Sequence, residues 1–551
     1  MKKNVFTFIV GGKAGEGVKK AGSVASQIFI ERGRQVFQMD DYMSLIRGGH
    51  NFSVISTATS EIHSHYMKAG LIVNSDKRSY EIHANELDKN GLIIYNSDEI
   101  DNAEGIGVPF YSEAKKFPAK NLLYGVGAVA ILACSIGISK NDLNEIIKKE
   151  YPSFVEDNIS FANAIYDIVF PTINNKFEVQ NGDKKRPILT GNQSIALGAI
   201  AGGLDTYYGY PMTPASSILH ILAAQAEKFG LAVIHPENEI AVINMAIGSA
   251  FAGAKAMVGS SGGGFALMVE GLSLAGMAEA PILCVLSMRP GPATGVPTYT
   301  EQGDLNFALN AGHGEFLRIV ACPGSIKEAF YLTAELLDLV WKFQTPGIIL
   351  TEKHLSESSM TIEMEMKNIK WAEPKYHKSG DYKRYLDTED GISPLLFPPS
   401  KEIIKWTSYE HDELGITTEN PELITKMHNK RYKKNMHIID FLKQLKTVNV
   451  YGTGGPLIFT YGSTTMSVLE ALHYGDIEAT IIQPIYLSPL PVWELERYKD
   501  EPVITIELSK MGQFTSLLKE KANIQSKYLI NKYDGRPFDP IELAEKIKEV
   551  I

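Results

Sequence analysis

A chain of 551 residues exceeds what one hydrophobic core organises, so about two to four domains are expected. Apolar residues make up 44% of it, charged residues 21%, and 47 glycines are spread along its length, a composition that excludes disorder, collagen and coiled coil. The formal net charge of -10 is modest and no long basic tract occurs, so neither nucleic acid nor an anionic membrane surface is an expected partner, which leaves small molecules and proteins.

The amino-terminal residues 4 to 10 (NVFTFIV) read as a first strand, because the apolar run meets glycines and charges and lacks a cleavage-site pattern. A glycine turn, the helical pattern VKKAGSVASQIFIERG and a strand RQVFQM complete a βαβ unit, and the later apolar runs AGLIVNS and GLIIYNS predict a mostly parallel sheet covered on both faces. The uncharged stretch 122–138 carries Gly125, Gly127 and Gly137 and is short for a span, so it predicts a buried helix of a soluble, cytoplasmic protein. Cys134, Cys284 and Cys322 are far apart, in no CxxC spacing, so this chain alone builds neither a zinc site, nor a four-cysteine iron–sulfur cluster, nor a disulfide framework.

The polar segment 174–187 ends in proline and reads as a linker. Strands and helices alternate again from about residue 188 to 356: ENEIAVINMAIGSAFAG as helix, KAMVGSS as strand, FALMVEGLSLAGMAEA as helix and PILCVLSMR as strand predict a second doubly wound unit. Residues 360–435 turn to charge, proline and aromatic residues with weak periodicity, which predicts an extended, wrapping segment. A third α/β unit follows, with PLIFTYG, EATIIQPIYL and PVITIEL as strands and TTMSVLEALHYG and FTSLLKEKAN as helices; no short-period repeat is present.

Chemistry concentrates at the strand-to-helix turns. Gly11, Gly12, Gly15 and Gly17 offer backbone N–H groups at a positive helix end, where a phosphate binds well, but the spacing is not GxGxxG and a tight turn without ligand accounts for it equally. Arg47, Gly48, Gly49 and His50 place a cation beside a flexible backbone, suited to a carboxylate or phosphate, or else form a packed loop with a surface arginine. In the stretch YPMTPASS, Pro211 and Pro214 fix the backbone so that the Thr213 hydroxyl can donate to an anionic or carbonyl oxygen; the same residues also suit a helix start with Thr213 as N-cap. Glu237 and Glu239 stand before a helix of small and apolar residues, where a carboxylate is either a group for proton chemistry or a favourable neighbour of the helix's positive end. Residues 289–305 (RPGPATGVPTYTEQGDL) set Arg289, Thr294, Thr298 and Thr300 on an irregular loop after a strand, and SSGGG (260–264) gives close backbone approach on the preceding strand.

These motifs, in this order, resemble the 2-oxoacid:ferredoxin oxidoreductases. YPMTPASS is similar to the family's YPITP signature, residues 289–305 to its substrate loop, and ENEIAVINMAIGSAFAG to its cofactor-glutamate helix. LDTEDGISP, YEHDELG and KRYKK resemble its connecting segment, while GGKAGEGV and IRGGH resemble the gamma unit fused ahead of the alpha unit in some members. The resemblance implies a gamma unit at 1–175, a linker at 176–187, a thiamine-diphosphate pyrimidine-binding unit at 188–356, a connecting segment at 357–438 and a transketolase C-terminal-like unit at 439–551, each a Rossmann-like α/β fold. It further implies conversion of a 2-oxoacid and coenzyme A to acyl-CoA and CO2 with electrons passed to ferredoxin.

Carried over by motif, Glu239 bonds the aminopyrimidine, Arg289 and Thr213 hold the substrate carboxylate and keto oxygen, and Thr298 lines the same pocket. Pro211 belongs to the cofactor side, and Arg47, Gly15 and Gly17 are candidates for coenzyme A. The resemblance assigns magnesium and a 4Fe–4S cluster to a beta subunit, in an alpha-beta heterotetramer, with 2-oxoglutarate or a broad range of 2-oxoacids as substrate and pyruvate as a further candidate. Two rivals are a dinucleotide-dependent dehydrogenase using the first glycine turn, against which the missing GxGxxG counts, and a non-catalytic scaffold or electron-transfer adaptor, against which Glu239, Arg289 and Thr213 count.

Overall fold

The computed structural model describes residues 4–44, 49–101, 103–118, 123–364 and 374–551. Three sheets organise them, each flanked by helices.

The first sheet runs Ile106–Val108, Leu87–Asn96, Ala69–Asn74, Phe6–Lys13, His50–Ala58, Gln35–Tyr42, Ser359–Thr361, Ile188–Thr190. Among its strands from residues 4–172 three pairings are parallel and two antiparallel, and the added strands Ser359–Thr361 and Ile188–Thr190 pair antiparallel. Strand His50–Ala58 lies antiparallel between Phe6–Lys13 and Gln35–Tyr42, because a connection as short as residues 43–49 returns a strand antiparallel and leaves no room for a crossover. The expected βαβ unit therefore exists with a third strand inserted between its two strands. The uncharged run is the helix Tyr124–Ser135, buried along its whole length, and among the described residues no helix is long and apolar enough to cross a membrane.

The second sheet runs Tyr486–Ser488, Ile319–Ala321, Gly347–Glu352, Ile282–Met288, Ala256–Ser260, Thr206–Tyr208, Ala232–Ile234, parallel except at the first strand. The third runs Val448–Tyr451, Thr480–Pro484, Leu457–Phe459, Val503–Glu507, Ser526–Asn531. The units are interleaved more closely than the expected boundaries at 188, 356 and 439 suggest. Strands Ile188–Thr190 and Ser359–Thr361 complete the first sheet, and the run EATIIQPIYL splits, its end Tyr486–Ser488 crossing to the second sheet. One apolar core joins Tyr208, Ile282 and Leu350 of the second sheet to Phe459, Ile482 and Phe514 of the third unit.

The connecting segment is irregular only as far as the helix Pro421–Leu442, which spans the expected boundary at 438. Its start is well specified, with the Asn420 side chain accepting from the N–H groups of Glu422 and Leu423 and proline in the first turn. Its periodicity is hidden because part of its buried face is cationic. Lys430 and Lys434 both pair with Glu279, the former at 2.6 Å, and all three side chains are at most 3% exposed. Arg384 donates to the carbonyls of Ala278 and Glu279 just past the helix Gly262–Met277, where a cation meets the negative helix end.

Candidate functional site

Four loops leave the carboxyl edge of the second sheet, after the parallel strands Thr206–Tyr208, Ala232–Ile234, Ala256–Ser260 and Ile282–Met288, the edge where ligand groups gather in open sheets of this kind. Glu239 opens the helix Glu239–Phe251, whose N-cap Asn238 accepts from the Ala241 N–H. Its side chain turns inward and is 3% exposed, while Glu237 is exposed. The carboxyl lies against Gly264, where a Cβ would collide with both Oε1 and the Ser260 hydroxyl. Glu239 Oε1 has no hydrogen-bond partner, and a buried polar oxygen left alone is costly.

Two further buried hydroxyls at the same edge, Ser261 Oγ and Thr298 Oγ1, also have no partner. Ser261 is the N-cap of Gly262–Met277 yet makes no capping bond, so the positive end of that 16-residue helix is left to other groups. The Asp304 carboxyl stands against Gly262. Burial pushes Asp304 up to about 6, with the Arg289 guanidinium opposing the rise.

Arg289 Nη1 donates to the Thr213 carbonyl at 2.8 Å, so the two expected substrate residues do meet. The turn 209–215 also reaches the glycine loop, since Ser260 Oγ approaches Met212 Sδ at 4.0 Å. Thr213 is not a helix cap: the following helix, Ser216–Phe229, starts later, with Ala215 at its N-cap. The reason is local, because the Ser216 N–H bonds back to the Met212 carbonyl and closes a separate turn over residues 213–215. Pro211 is exposed at the mouth, Thr294 is exposed, and Thr298 and Thr300 are buried.

The first glycine turn lies in the other unit and does not join this cluster. Gly15 and Gly17 adopt positive φ of 94° and 79°, but Glu16 between them folds its carboxylate inward. There it accepts from the Lys13 N–H at 2.9 Å, Ser75 Oγ at 2.5 Å and the Tyr111 hydroxyl at 3.3 Å. An anion approaching that turn meets a carboxyl where free donors were expected, although Gly15 faces open space. Arg47 and Gly48 lie outside the described residues. His50 is buried, with its Nε2 3.0 Å from His83 Nε2. The three cysteines are buried and free, and among the described residues no group of three His, Cys, Asp or Glu is placed to hold a metal ion.

Several large apolar side chains are exposed on the helices of this unit. Ile240 and Met245 on one helix, Leu267 on the next, with Phe229 and Ile234 nearby in sequence, are 40 to 51% exposed, and such patches mark protein interfaces. Asp304 and Gly264 escaped notice in the sequence as individual residues, although both lie in stretches singled out there.

Residues 197–430 match the family described as pyruvate flavodoxin/ferredoxin oxidoreductase, thiamine diP-binding, and residues 7–168 the family pyruvate ferredoxin/flavodoxin oxidoreductase. A 2-oxoacid:ferredoxin oxidoreductase subunit alpha from Sulfolobus is 32% identical over 99% of this chain and 97% of its own. The 2-oxoglutarate synthase subunit KorA of Archaeoglobus fulgidus is 41% identical over 59% of this chain and 88% of its own. The solved 2-oxoglutarate:ferredoxin oxidoreductase of Magnetococcus marinus, with 2-oxoglutarate, coenzyme A and succinyl-CoA bound, superposes with a TM-score of 0.90 at 28% identity, covering 100% of both chains.

Proposed function

Since the chain belongs to the 2-oxoacid:ferredoxin oxidoreductases as an alpha subunit, we propose that it supplies the pyrimidine half of a thiamine-diphosphate site that a beta subunit completes. The observation that carries this reading is the set of buried orphan atoms, Glu239 Oε1, Ser261 Oγ and Thr298 Oγ1, around one sheet edge. Together with the close approach allowed at Gly264, they suit an aminopyrimidine ring, which offers both donors and acceptors. When bound, thiamine diphosphate supplies the carbon nucleophile and electron sink that decarboxylation of a 2-oxoacid requires.

Glu239 holds and exchanges the proton at the ring nitrogen, the role its burial and lone oxygen favour. Arg289, braced on the Thr213 carbonyl, pairs with the substrate carboxylate. Thr213 and Thr298 orient the keto oxygen, and Pro211 shapes the mouth on the cofactor side. Magnesium and a 4Fe–4S cluster belong to the beta subunit, which covers the exposed apolar face around Ile240, Met245 and Leu267, and the assembly is an alpha-beta heterotetramer working in the cytoplasm. The substrate is 2-oxoglutarate, the 2-oxoacid named for the Magnetococcus and Archaeoglobus relatives, or a broad range of 2-oxoacids with pyruvate a further candidate, and ferredoxin takes the electrons. Arg47 is the amino-terminal unit's candidate for coenzyme A, and Gly15 and Gly17 can serve only a neutral part of it, because the Glu16 carboxyl between them opposes a phosphate.

The isolated chain is expected to be inactive and to gain coenzyme-A-dependent viologen reduction when mixed with its beta partner, thiamine diphosphate and magnesium, assayed with 2-oxoglutarate and pyruvate. Full activity from this chain alone overturns the shared site. In that complex Arg289→Ala is expected to raise the 2-oxoacid KM by about 10 to 100-fold, the worth of one charge-assisted contact; an unchanged KM removes Arg289 from the pocket.

A further inference from the structure

The two halves of the loop 289–304 are held very differently. Residues 291–296 are exposed, whereas Tyr299, Thr300, Gln302 and Gly303 are bonded to the third unit. Gln302 uses its backbone N–H on the Leu508 carbonyl at 2.7 Å and its Nε2 on the Tyr461 carbonyl at 3.0 Å. Its Oε1 accepts from Thr464 Oγ1 at 3.0 Å and the Leu508 N–H at 2.8 Å. Thr298 sits where the exposed half meets the fixed half, and its neighbour Tyr299 is held from outside the loop.

What holds Tyr299 is the turn 534–536. The Thr300 N–H donates to the Gly535 carbonyl at 3.1 Å. Gly535, at φ +81°, stands so close that a Cβ would lie 3.1 Å from the Tyr299 ring. The Arg536 guanidinium stacks 3.9 Å from the ring centroid and donates Nη2 to the Tyr299 hydroxyl at 3.0 Å. Its Nη1 pairs with Asp41 Oδ2 at 2.5 Å. Asp41 lies near the end of strand Gln35–Tyr42 of the amino-terminal unit, an end fixed on both sides by Lys353 Nζ on the Asp40 carbonyl at 2.5 Å and the Tyr42 hydroxyl on Glu357 at 2.9 Å. A planar guanidinium stacks and bonds in two directions at once, which an ammonium does not.

We propose that Arg536 is a positioning residue for the 2-oxoacid pocket, holding Tyr299 and with it Thr298 against Asp41, so that the amino-terminal unit and the pocket are energetically coupled. The inference rests on the assignment of residues 289–304 to that pocket. It is tested in the alpha-beta complex with thiamine diphosphate, magnesium and coenzyme A. Arg536→Lys keeps a charge for Asp41 and loses the stack and the fork; Asp41→Asn loses the anchor. Each is expected to raise the 2-oxoacid KM about tenfold with kcat within about twofold, the signature of a misplaced binding group. Melting temperature is expected to stay that of the wild type. The double variant is expected to be no worse than about the worse single one, because the two residues act through one contact. Tyr299→Phe, which removes only the hydroxyl bond, is expected to shift KM by less than Arg536→Lys.

An unchanged KM in Arg536→Lys overturns the proposal, as does a rise there that Asp41→Asn fails to reproduce or that comes only with a lowered melting temperature. Arg289→Ala measured alongside separates the two levels. If it leaves 2-oxoacid binding intact, the pocket assignment fails; if it weakens binding and Arg536→Lys does not, only the coupling fails.

Discussion

Glu239→Gln is expected to lower turnover of the assembled complex by about 10²- to 10⁴-fold, the range of a lost general acid–base group. The glutamate sits in the first turn of Glu239–Phe251, beside a cap made by Asn238 and over Gly264, with 3% exposure and one oxygen unbonded. Glutamine keeps the volume and the helix start, so folding and subunit association are expected to persist, but it cannot take up and return a proton. Viologen reduction with 2-oxoacid and coenzyme A reads the loss, and size-exclusion chromatography checks that assembly is intact. A normal rate in an intact complex moves the proton transfer to another residue.

The second large effect concerns stability. Glu279→Gln is expected to cost about 3 to 5 kcal/mol, because breaking a buried ion pair leaves the remaining charges unpaired. Burial alone would push the Glu279 carboxyl up, but Lys430, Lys434 and Arg384 outweigh it and hold the group ionised, below the usual carboxylate range. Removing that charge leaves Arg384 without its anion and drives Lys430, which burial already brings down to about 7, and Lys434, also lowered by burial, to give up their protons in the interior. Thermal and denaturant unfolding measure the loss, and replacing Lys430 and Lys434 by Met together with Glu279→Gln is expected to restore most of it. A variant as stable as wild type would mean the cluster is more hydrated than its burial implies. Since Arg384 caps the far end of the helix that begins at Gly262, the same variant is expected to loosen the glycine loop under Glu239.

What was readable in advance follows the range of the interactions involved. The strands and helices of the three units and the ligand loops at strand ends were legible because glycine turns, proline positions and apolar periodicity act between residues near one another in the chain. Helix Pro421–Leu442 was missed for the converse reason. Residues Lys430 and Lys434 look solvent-exposed by type, and only Glu279, about 150 positions earlier, makes them interior groups.

Within the amino-terminal unit one strand, His50–Ala58, departs from the parallel reading. Strand His50–Ala58 is buried on both faces as a parallel strand would be, although His50, Asn51, Ser53, Ser56 and Thr57 are polar, and nothing in its own residues states that it runs the other way. The pairing was decided by the short connection before it and by both neighbours accepting it.

The α/β class, the loop carrying Arg289 and Thr298, and the helix opened by Glu239 are encoded in contiguous motifs and need no distant partner. Long-range packing settles that Glu237 stays in solvent while Glu239 is buried against Gly264, that Asp304 faces the positive end of Gly262–Met277, and that Arg536 joins Asp41 to Tyr299. A buried charge is specified by partners hundreds of residues away, and local patterns of polarity hold no record of where those partners arrive.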